Sequence, residues 1–85
     1  GGTGVKKCFY CLFQCNEPLE VQECANDWQD FRCYSSKAIT PSGVLEHSKG
    51  CVLSNDEWWH SRCDSLNYIE GDSCYMCDED MCNFL

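Results

Sequence analysis

The sequence predicts a small, disulfide-rich, mainly β domain, and three observations support this prediction. Ten of the 85 residues are cysteine, a density typical of short disulfide scaffolds. A chain this short buries only about 60–65% of its unfolded surface, so a hydrophobic core alone gives marginal stability. The longest stretch between two cysteines carries strand-forming residues on both sides of a turn signal. We therefore expect five disulfides that hold β-hairpins together.

The longest cysteine-free stretch is predicted to form the main hairpin. Aromatic and β-branched residues in 31–39 favour a strand. The next four residues, Thr40 to Gly43, have Pro at the second position and Gly at the fourth, as a type I turn prefers. Residues 44–51 then return toward the other cysteines.

The second half of the chain predicts one short helix and one more strand. Ser54 and Glu57 have the S-x-x-E spacing of a capping box, which opens a segment that runs through Arg62. We expect the helix around 55–62. A last strand is predicted from Ser73 to Cys77.

A zinc site is the alternative use of the cysteines. Cys8 with Cys11 and Cys74 with Cys77 have the C-x2-C spacing that clamps a tetrahedral ion. The two pairs are far apart in the chain, and four ligands would leave six cysteines unexplained. Disulfides are therefore favoured, and no metal or cofactor is expected. Counting alone leaves on the order of 900 connectivities open.

Five structural disulfides indicate an extracellular protein, because cytosolic thiols are kept reduced. The opening residues 1–4 resemble a cloning remnant, which leaves residues 5–85 as a single domain. No apolar run approaches the roughly 18 residues needed to span a bilayer. We therefore expect either a secreted domain or the ectodomain of an anchored protein, a lipid anchor included.

The charge restricts the partners. Six basic residues against 14 acidic ones give a net charge of −8. Nucleic-acid binding needs a basic footprint, and insertion into anionic membranes draws on Lys and Arg clusters. Neither is expected here. An acidic chain favours a protein partner with a basic surface, although solubility alone also accounts for the charge.

The cysteine order and the end of the chain resemble the three-finger superfamily of Ly6/uPAR domains, snake toxins and TGF-β receptor ectodomains. The most specific match is the closing segment 77–83, which has the form C-x-x-D-x-C-N. The short Cys11-x3-Cys15 loop and Gly50-Cys51 agree with it. The C-x2-C spacing of Cys74 and Cys77 is similar to the spacing in a family of cysteine-rich insect proteins that are secreted or held at the cell surface.

The resemblance implies a three-finger fold with a five-disulfide hub and a particular pairing. The implied pairs are Cys8–Cys33, Cys11–Cys15, Cys24–Cys51, Cys63–Cys74 and Cys77–Cys82. It also implies structural roles for Asp80 and for Asn83, whose side-chain amide can hydrogen-bond to the hub backbone.

Five residues are candidates for binding a partner. Ile39, Val44 and Leu45 surround a turn that cannot itself be buried. Trp58 and Trp59 are of the residue type that dominates binding hot spots, although at least one of them is expected to cover the hub.

No catalytic motif frames a serine or histidine, so we expect no enzyme. The leading hypothesis is an extracellular module that binds a protein through its fingers. Two alternatives stay open. One is a freely secreted toxin-like or salivary effector that blocks a receptor or sequesters a mediator. The other is a structural repeat of a larger surface protein.

Overall fold

The computed structural model describes residues 4–24 and 30–84. In that part of the chain it contains five strands and one helix. In chain order these are β1 (Lys7–Phe13), β2 (Glu20–Glu23), β3 (Phe31–Ile39), β4 (Leu45–Leu53), α1 (Glu57–Leu66) and β5 (Ser73–Cys77). The strands form one antiparallel sheet in the order β2-β1-β4-β3-β5. The chain is therefore a small, disulfide-rich, mainly β fold, as the sequence predicts.

The fold has three finger-like units: β1 with β2, β3 with β4, and α1 with β5. The middle finger is the longest, and its register runs from Phe31 opposite Leu53 to Ile39 opposite Leu45. The predicted hairpin is confirmed, with β4 shifted to 45–53 from the expected 44–51. The predicted last strand is confirmed with the same bounds, Ser73–Cys77.

The helix differs from the expectation at both ends. Its N-cap is Asp56, whose Oδ1 accepts a hydrogen bond from the Trp59 N–H at 3.0 Å, so Ser54 is not the cap. An aspartate in this position also places its negative charge at the positive end of the helix dipole. The helix continues to Leu66 because Cys63 and Leu66 are buried against Ala38 and Met76.

The five disulfides are the pairs that the resemblance implies. They join Cys8 to Cys33, Cys11 to Cys15, Cys24 to Cys51, Cys63 to Cys74 and Cys77 to Cys82. Sulfurs fill much of the core, in which Cys8 and Cys33 are fully buried together with Val5 and Cys24. Because bulky aliphatic side chains are few in this cluster, the disulfides supply both cross-links and core volume.

Of residues 1–4, interpreted as a cloning remnant, only Gly4 lies within the described residues. It packs against β3, since a Cβ at this position would lie 2.5 Å from the Phe31 nitrogen. The next residue, Val5, donates its N–H to the Phe31 carbonyl at 3.1 Å. Gly4 therefore contributes to the close approach of the chain start and β3.

Residues 4–24 and 30–84 include no helix that is both long and apolar enough to cross a membrane. The ten-residue helix α1 carries polar and charged residues along its length.

Candidate functional site

The tip of the middle finger is a tight, internally hydrogen-bonded turn. The Gly43 N–H donates to the Thr40 carbonyl at 2.8 Å, and the Thr40 N–H donates to the Val44 carbonyl at 2.9 Å. Gly43 has φ +85°, a conformation that glycine adopts without steric cost. The backbone of this turn is thus satisfied locally and its side chains are left to the solvent.

Three apolar side chains surround this turn and are exposed. Ile39, Val44 and Leu45 retain 50%, 58% and 52% of their accessible surface. Ile39 and Leu45 are directly opposite each other across the hairpin, so their side chains lie on the same face. We call these three residues the tip surface.

A turn of the third finger adjoins the tip surface, which the sequence reasoning did not anticipate. Asp72 Oδ1 accepts a hydrogen bond from the Ile39 N–H at 2.8 Å. Gly71 approaches the Ile39 side chain so closely that a Cβ would lie 3.0 Å from Cδ1. The same turn carries Ile69, which is 53% exposed. A Gly-Asp pair before a strand was the available signal for this turn.

The two tryptophans divide between packing and exposure. Trp59 packs edge-on against Tyr34 of β3, with ring centroids 4.9 Å apart. Trp58 stacks on Trp59 at 5.7 Å and remains 68% exposed. Trp59 therefore covers the sheet, whereas Trp58 stays available to a partner.

The tryptophan pair and the tip surface are separate places on the molecule. Tyr34 is five residues from Ile39 along β3, which corresponds to about 17 Å of strand. Alternation along β3 also places Tyr34 and Ile39 on opposite faces. The structure thus brings Ile39, Val44 and Leu45 together but does not bring Trp58 or Trp59 to them.

The face of the middle finger that carries Ile39 and Leu45 is positively charged toward the hub. Lys37 lies directly opposite His47, and Ser35 lies opposite Lys49. Burial, followed by the nearby charges of Lys49 and Lys37, lowers the pKa of His47. Burial and the charge of Lys37 likewise lower the pKa of Lys49. Sequence reasoning did not predict this cluster.

Lys49 is almost fully buried, with 1% of its surface accessible. Its Nζ donates a hydrogen bond to the backbone carbonyl of Asn83 at 2.8 Å, which ties the middle finger to the closing segment. Sequence reasoning did not predict this role for Lys49.

The two predicted structural residues hold the closing segment to β1. Asn83, fully buried, accepts a hydrogen bond from the Phe9 N–H at 2.9 Å and donates to the carbonyls of Phe9 and Tyr34. Asp80 accepts a hydrogen bond from the Lys6 N–H at 2.8 Å. Both side chains therefore bond to backbone groups that are far away in sequence.

The cysteines leave no thiolate for a metal. The sulfurs of Cys8, Cys24 and Cys51 lie within 4.8 Å of one another, the spacing of a metal cluster. All ten cysteines lie among the described residues, and every one is in a disulfide. Because a coordinating cysteine must be a thiolate, this sulfur cluster belongs to the hub.

An apolar hollow lies on the first finger, away from the tip surface. It has a volume of about 560 Å³ and is lined by Phe9, Glu17, Pro18, Leu19 and Phe84. Phe84, the residue after Asn83, is 65% exposed at its edge.

The fold and these surfaces define a disulfide-stapled β domain with finger-like hairpins. No family model, curated protein or solved structure matches the chain at a significant level. The likeness to the three-finger superfamily accordingly rests on the sequence features given above and on the arrangement of strands and disulfides.

Proposed function

We propose that this chain is an extracellular, non-enzymatic protein-binding domain of the Ly6/uPAR three-finger type. It acts either as a secreted protein or as an ectodomain held at the cell surface by an anchor. Five disulfides support an oxidising compartment, because they persist there and are rare in the cytosol.

The observation that carries the proposal is the exposure of the tip surface. Ile39, Val44 and Leu45 are each at least half exposed on a turn whose backbone hydrogen bonds are already made. Exposed apolar residues gathered at one place are typical of interaction sites, while single ones are ordinary. A rigid turn also loses little conformational entropy when a partner covers it.

Trp58 is the second contact of the proposal, on the opposite side of the molecule. Its ring is exposed and is held in place by stacking on Trp59. An aromatic ring that is already ordered is a favourable binding anchor, since its rotamer is fixed before association.

The experiment starts from the oxidised domain as bait on a cell-surface or extracellular extract from its source. The captured protein is then purified, and its Kd is measured for the parent and for designed variants. The Ile39→Ala/Leu45→Ala double variant is expected to weaken binding by at least about 30-fold, the effect of a hot spot worth roughly 2 kcal/mol.

Val21→Ala is the matched control. Val21 is an apolar residue of β2 that is also about half exposed, at 51%, and β2 lies at the edge of the sheet away from the third finger. Trp58→Ala tests the second contact, and Trp58 is chosen over Trp59 because Trp59 packs on Tyr34 and its loss would disturb the fold. If the double variant is folded and binds as tightly as the parent, the tip surface is not the binding site.

A further inference from the structure

The face of the middle finger behind the tip surface differs in charge from the rest of the chain. Directly opposed residues of antiparallel strands share a face. On this face β3 contributes Ser35, Lys37 and Ile39, and β4 contributes Leu45, His47 and Lys49. We call it the cationic face.

The neighbouring strands add no acidic residue to this face. From β1, Cys11 is opposite Lys49 and Phe13 is opposite His47. From β5, Tyr75 is opposite Ser35 and Ser73 is opposite Lys37. Two of the six Lys and Arg residues of a chain with net charge −8 are thus collected where the strand positions offer no carboxylate.

The half of the cationic face near the hub is already covered by the chain's own closing segment. Lys49 Nζ donates to the Asn83 carbonyl at 2.8 Å, and the Tyr75 hydroxyl donates to the Cys82 carbonyl at 3.4 Å. In this half, face residues therefore act as hydrogen-bond donors to a peptide segment laid across the strands.

The half near the tip carries the Lys37 ammonium and the His47 imidazole, and no backbone carbonyl of residues 4–24 and 30–84 accepts a hydrogen bond from either side chain. Lys37 forms no ion pair within residues 4–24 and 30–84, and the His47 Nε2 lies 3.4 Å from the Ser35 hydroxyl, within hydrogen-bond distance. Exposed apolar side chains border these two groups: Phe13 at the end of β1, 66% exposed, and Ile39 and Leu45 at the tip.

We propose that this outer half, Lys37 and His47 with Phe13, Ile39 and Leu45, binds a segment of a protein partner in which a carboxylate is flanked by apolar side chains. The carboxylate meets the Lys37 ammonium and the His47 ring, and the apolar side chains cover the surrounding hydrophobic residues. The inference rests on the proposed function and specifies the chemistry of the partner.

Charge complementarity selects this occupant over a nucleic acid or an anionic membrane. A polyphosphate or a lipid surface presents many negative charges and would meet the net charge of −8 as well as the cationic face. A single carboxylate within an apolar segment can sit at Lys37 and His47, while the Asp72 carboxylate at the edge of the site already accepts a hydrogen bond from the Ile39 N–H. Inside a partly dehydrated contact such a charged pair is directional and favours one register of the bound segment.

The test uses short synthetic peptides and needs no natural partner. In a Ser/Gly background, the Leu/Glu peptide carries one Glu flanked by Leu residues, the Leu/Lys peptide has Lys in place of that Glu, and the Ser/Glu peptide has Ser in place of the Leu residues. Binding to the oxidised domain is followed by backbone amide chemical shifts. We expect saturable binding of the Leu/Glu peptide, with the largest shifts at residues 37, 39, 45 and 47, and at least tenfold weaker binding of the other two peptides.

Charge variants assign the binding to the cationic face. Lys37→Glu is expected to weaken the binding of the Leu/Glu peptide at least tenfold. Lys37→Met, which keeps the apolar stem of the side chain, is expected to weaken that binding by a smaller factor. Lys6→Glu is the matched control, because it makes the same change in net charge at an exposed residue before β1. The amide spectrum of each variant reports whether the sheet is intact.

Four results would overturn the inference: no saturable binding of the Leu/Glu peptide, equal binding of the Leu/Lys peptide, shifts centred on Trp58 in place of Lys37, or equal losses for Lys37→Glu and Lys6→Glu. Each leaves the proposed function standing as long as the captured partner still depends on Ile39 and Leu45. Conversely, if the captured partner binds the Ile39→Ala/Leu45→Ala variant as tightly as the parent, the proposed function is wrong, regardless of the peptide results.

Discussion

Asn83 shows that a single side chain can hold several parts of a domain of this size together. Its amide bonds to backbone groups of β1 and β3, two strands that are not neighbours in the sheet. The resemblance implied a structural role for this residue. Its three bonds, one accepted and two donated, use both ends of the amide, which no other side chain of the same shape provides.

Replacing Asn83 with Asp is therefore expected to be severe. The carboxylate keeps the acceptor for Phe9 N–H but places negative oxygen against the carbonyls of Phe9 and Tyr34, at distances that are now 2.9 and 2.8 Å. Each of the two buried carbonyls that loses its hydrogen-bond donor costs about 1–3 kcal/mol. Urea unfolding with the disulfides intact measures the loss. Asn55→Asp, at an exposed position before α1, serves as control and should stay within about 0.5 kcal/mol of the parent.

His47 gives a second prediction at the residue scale. Its pKa in the folded chain is lowered from 6.5 by burial and by the charges of Lys49 and Lys37, so the unfolded chain binds the proton first as the pH falls. The stability that neutral His47 contributes is complete above about pH 6.5 and is lost as the pH falls through the folded pKa. The free energy of unfolding of the parent should therefore fall on acidification more steeply than that of His47→Gln. Parallel pH profiles for the two proteins would show that His47 titrates alike in both states.

At the scale of elements, the sequence predicted best where a local signal and the final packing agree. Pro41 and Gly43 mark the turn, and the residues on either side have strand propensity, so the middle hairpin was predictable. The strand β2 was not, since Glu20, Gln22 and Glu23 are weak strand formers. Tertiary contacts hold it: Gln22 Oε1 accepts a hydrogen bond from the Cys51 N–H at 2.9 Å, and Cys24 is cross-linked to Cys51.

The same reasoning explains the helix and the binding candidates. The S-x-x-E pattern indicated a helix start correctly to within a turn, but the choice of Asp56 as cap depends on which side chain reaches the Trp59 N–H. The tip residues were identified because a turn must be exposed. The cationic face was not identified, because Lys37 and His47 become neighbours only through the register of two strands.

The disulfides differ in the length of chain that they close, which gives a prediction for the elements they join. Cys24–Cys51 has a sequence separation of 27 and Cys11–Cys15 one of 4. From loop-closure entropy, the first disulfide is expected to stabilise the folded chain by about 3.5 kcal/mol and the second by about 2 kcal/mol. We expect the Cys24→Ala/Cys51→Ala variant to lose more stability than Cys11→Ala/Cys15→Ala, as measured by urea unfolding of both. A greater loss from the short loop would mean that Cys11–Cys15 holds the first finger through packing rather than through chain entropy.

For the whole molecule, the distribution of charge matters more than its sum. The chain is acidic overall, whereas the proposed binding face is cationic at its centre and apolar at its border. Long-range attraction follows the net charge, while the register of a bound segment follows the local groups. A partner with a basic surface and one carboxylate in an apolar segment satisfies both, and its association and dissociation rates report on different parts of the interface.

Because net charge and local groups act on different rates, the salt dependence of binding can be predicted. The net charge of −8 accelerates the approach of a basic partner, and raising the ionic strength shortens the Debye length from about 10 Å at 0.1 M to about 3 Å at 1 M. We expect the association rate constant to fall as salt rises, with a much smaller change in the dissociation rate constant. Surface plasmon resonance over a salt series measures both.

Asp78→Asn/Glu79→Gln, at two exposed positions outside the strands, should lower the association rate, and Ile39→Ala/Leu45→Ala should raise the dissociation rate. An association rate that is constant over the salt series would mean that the partner carries no basic surface, and binding would then depend on the apolar tip and the cationic face alone.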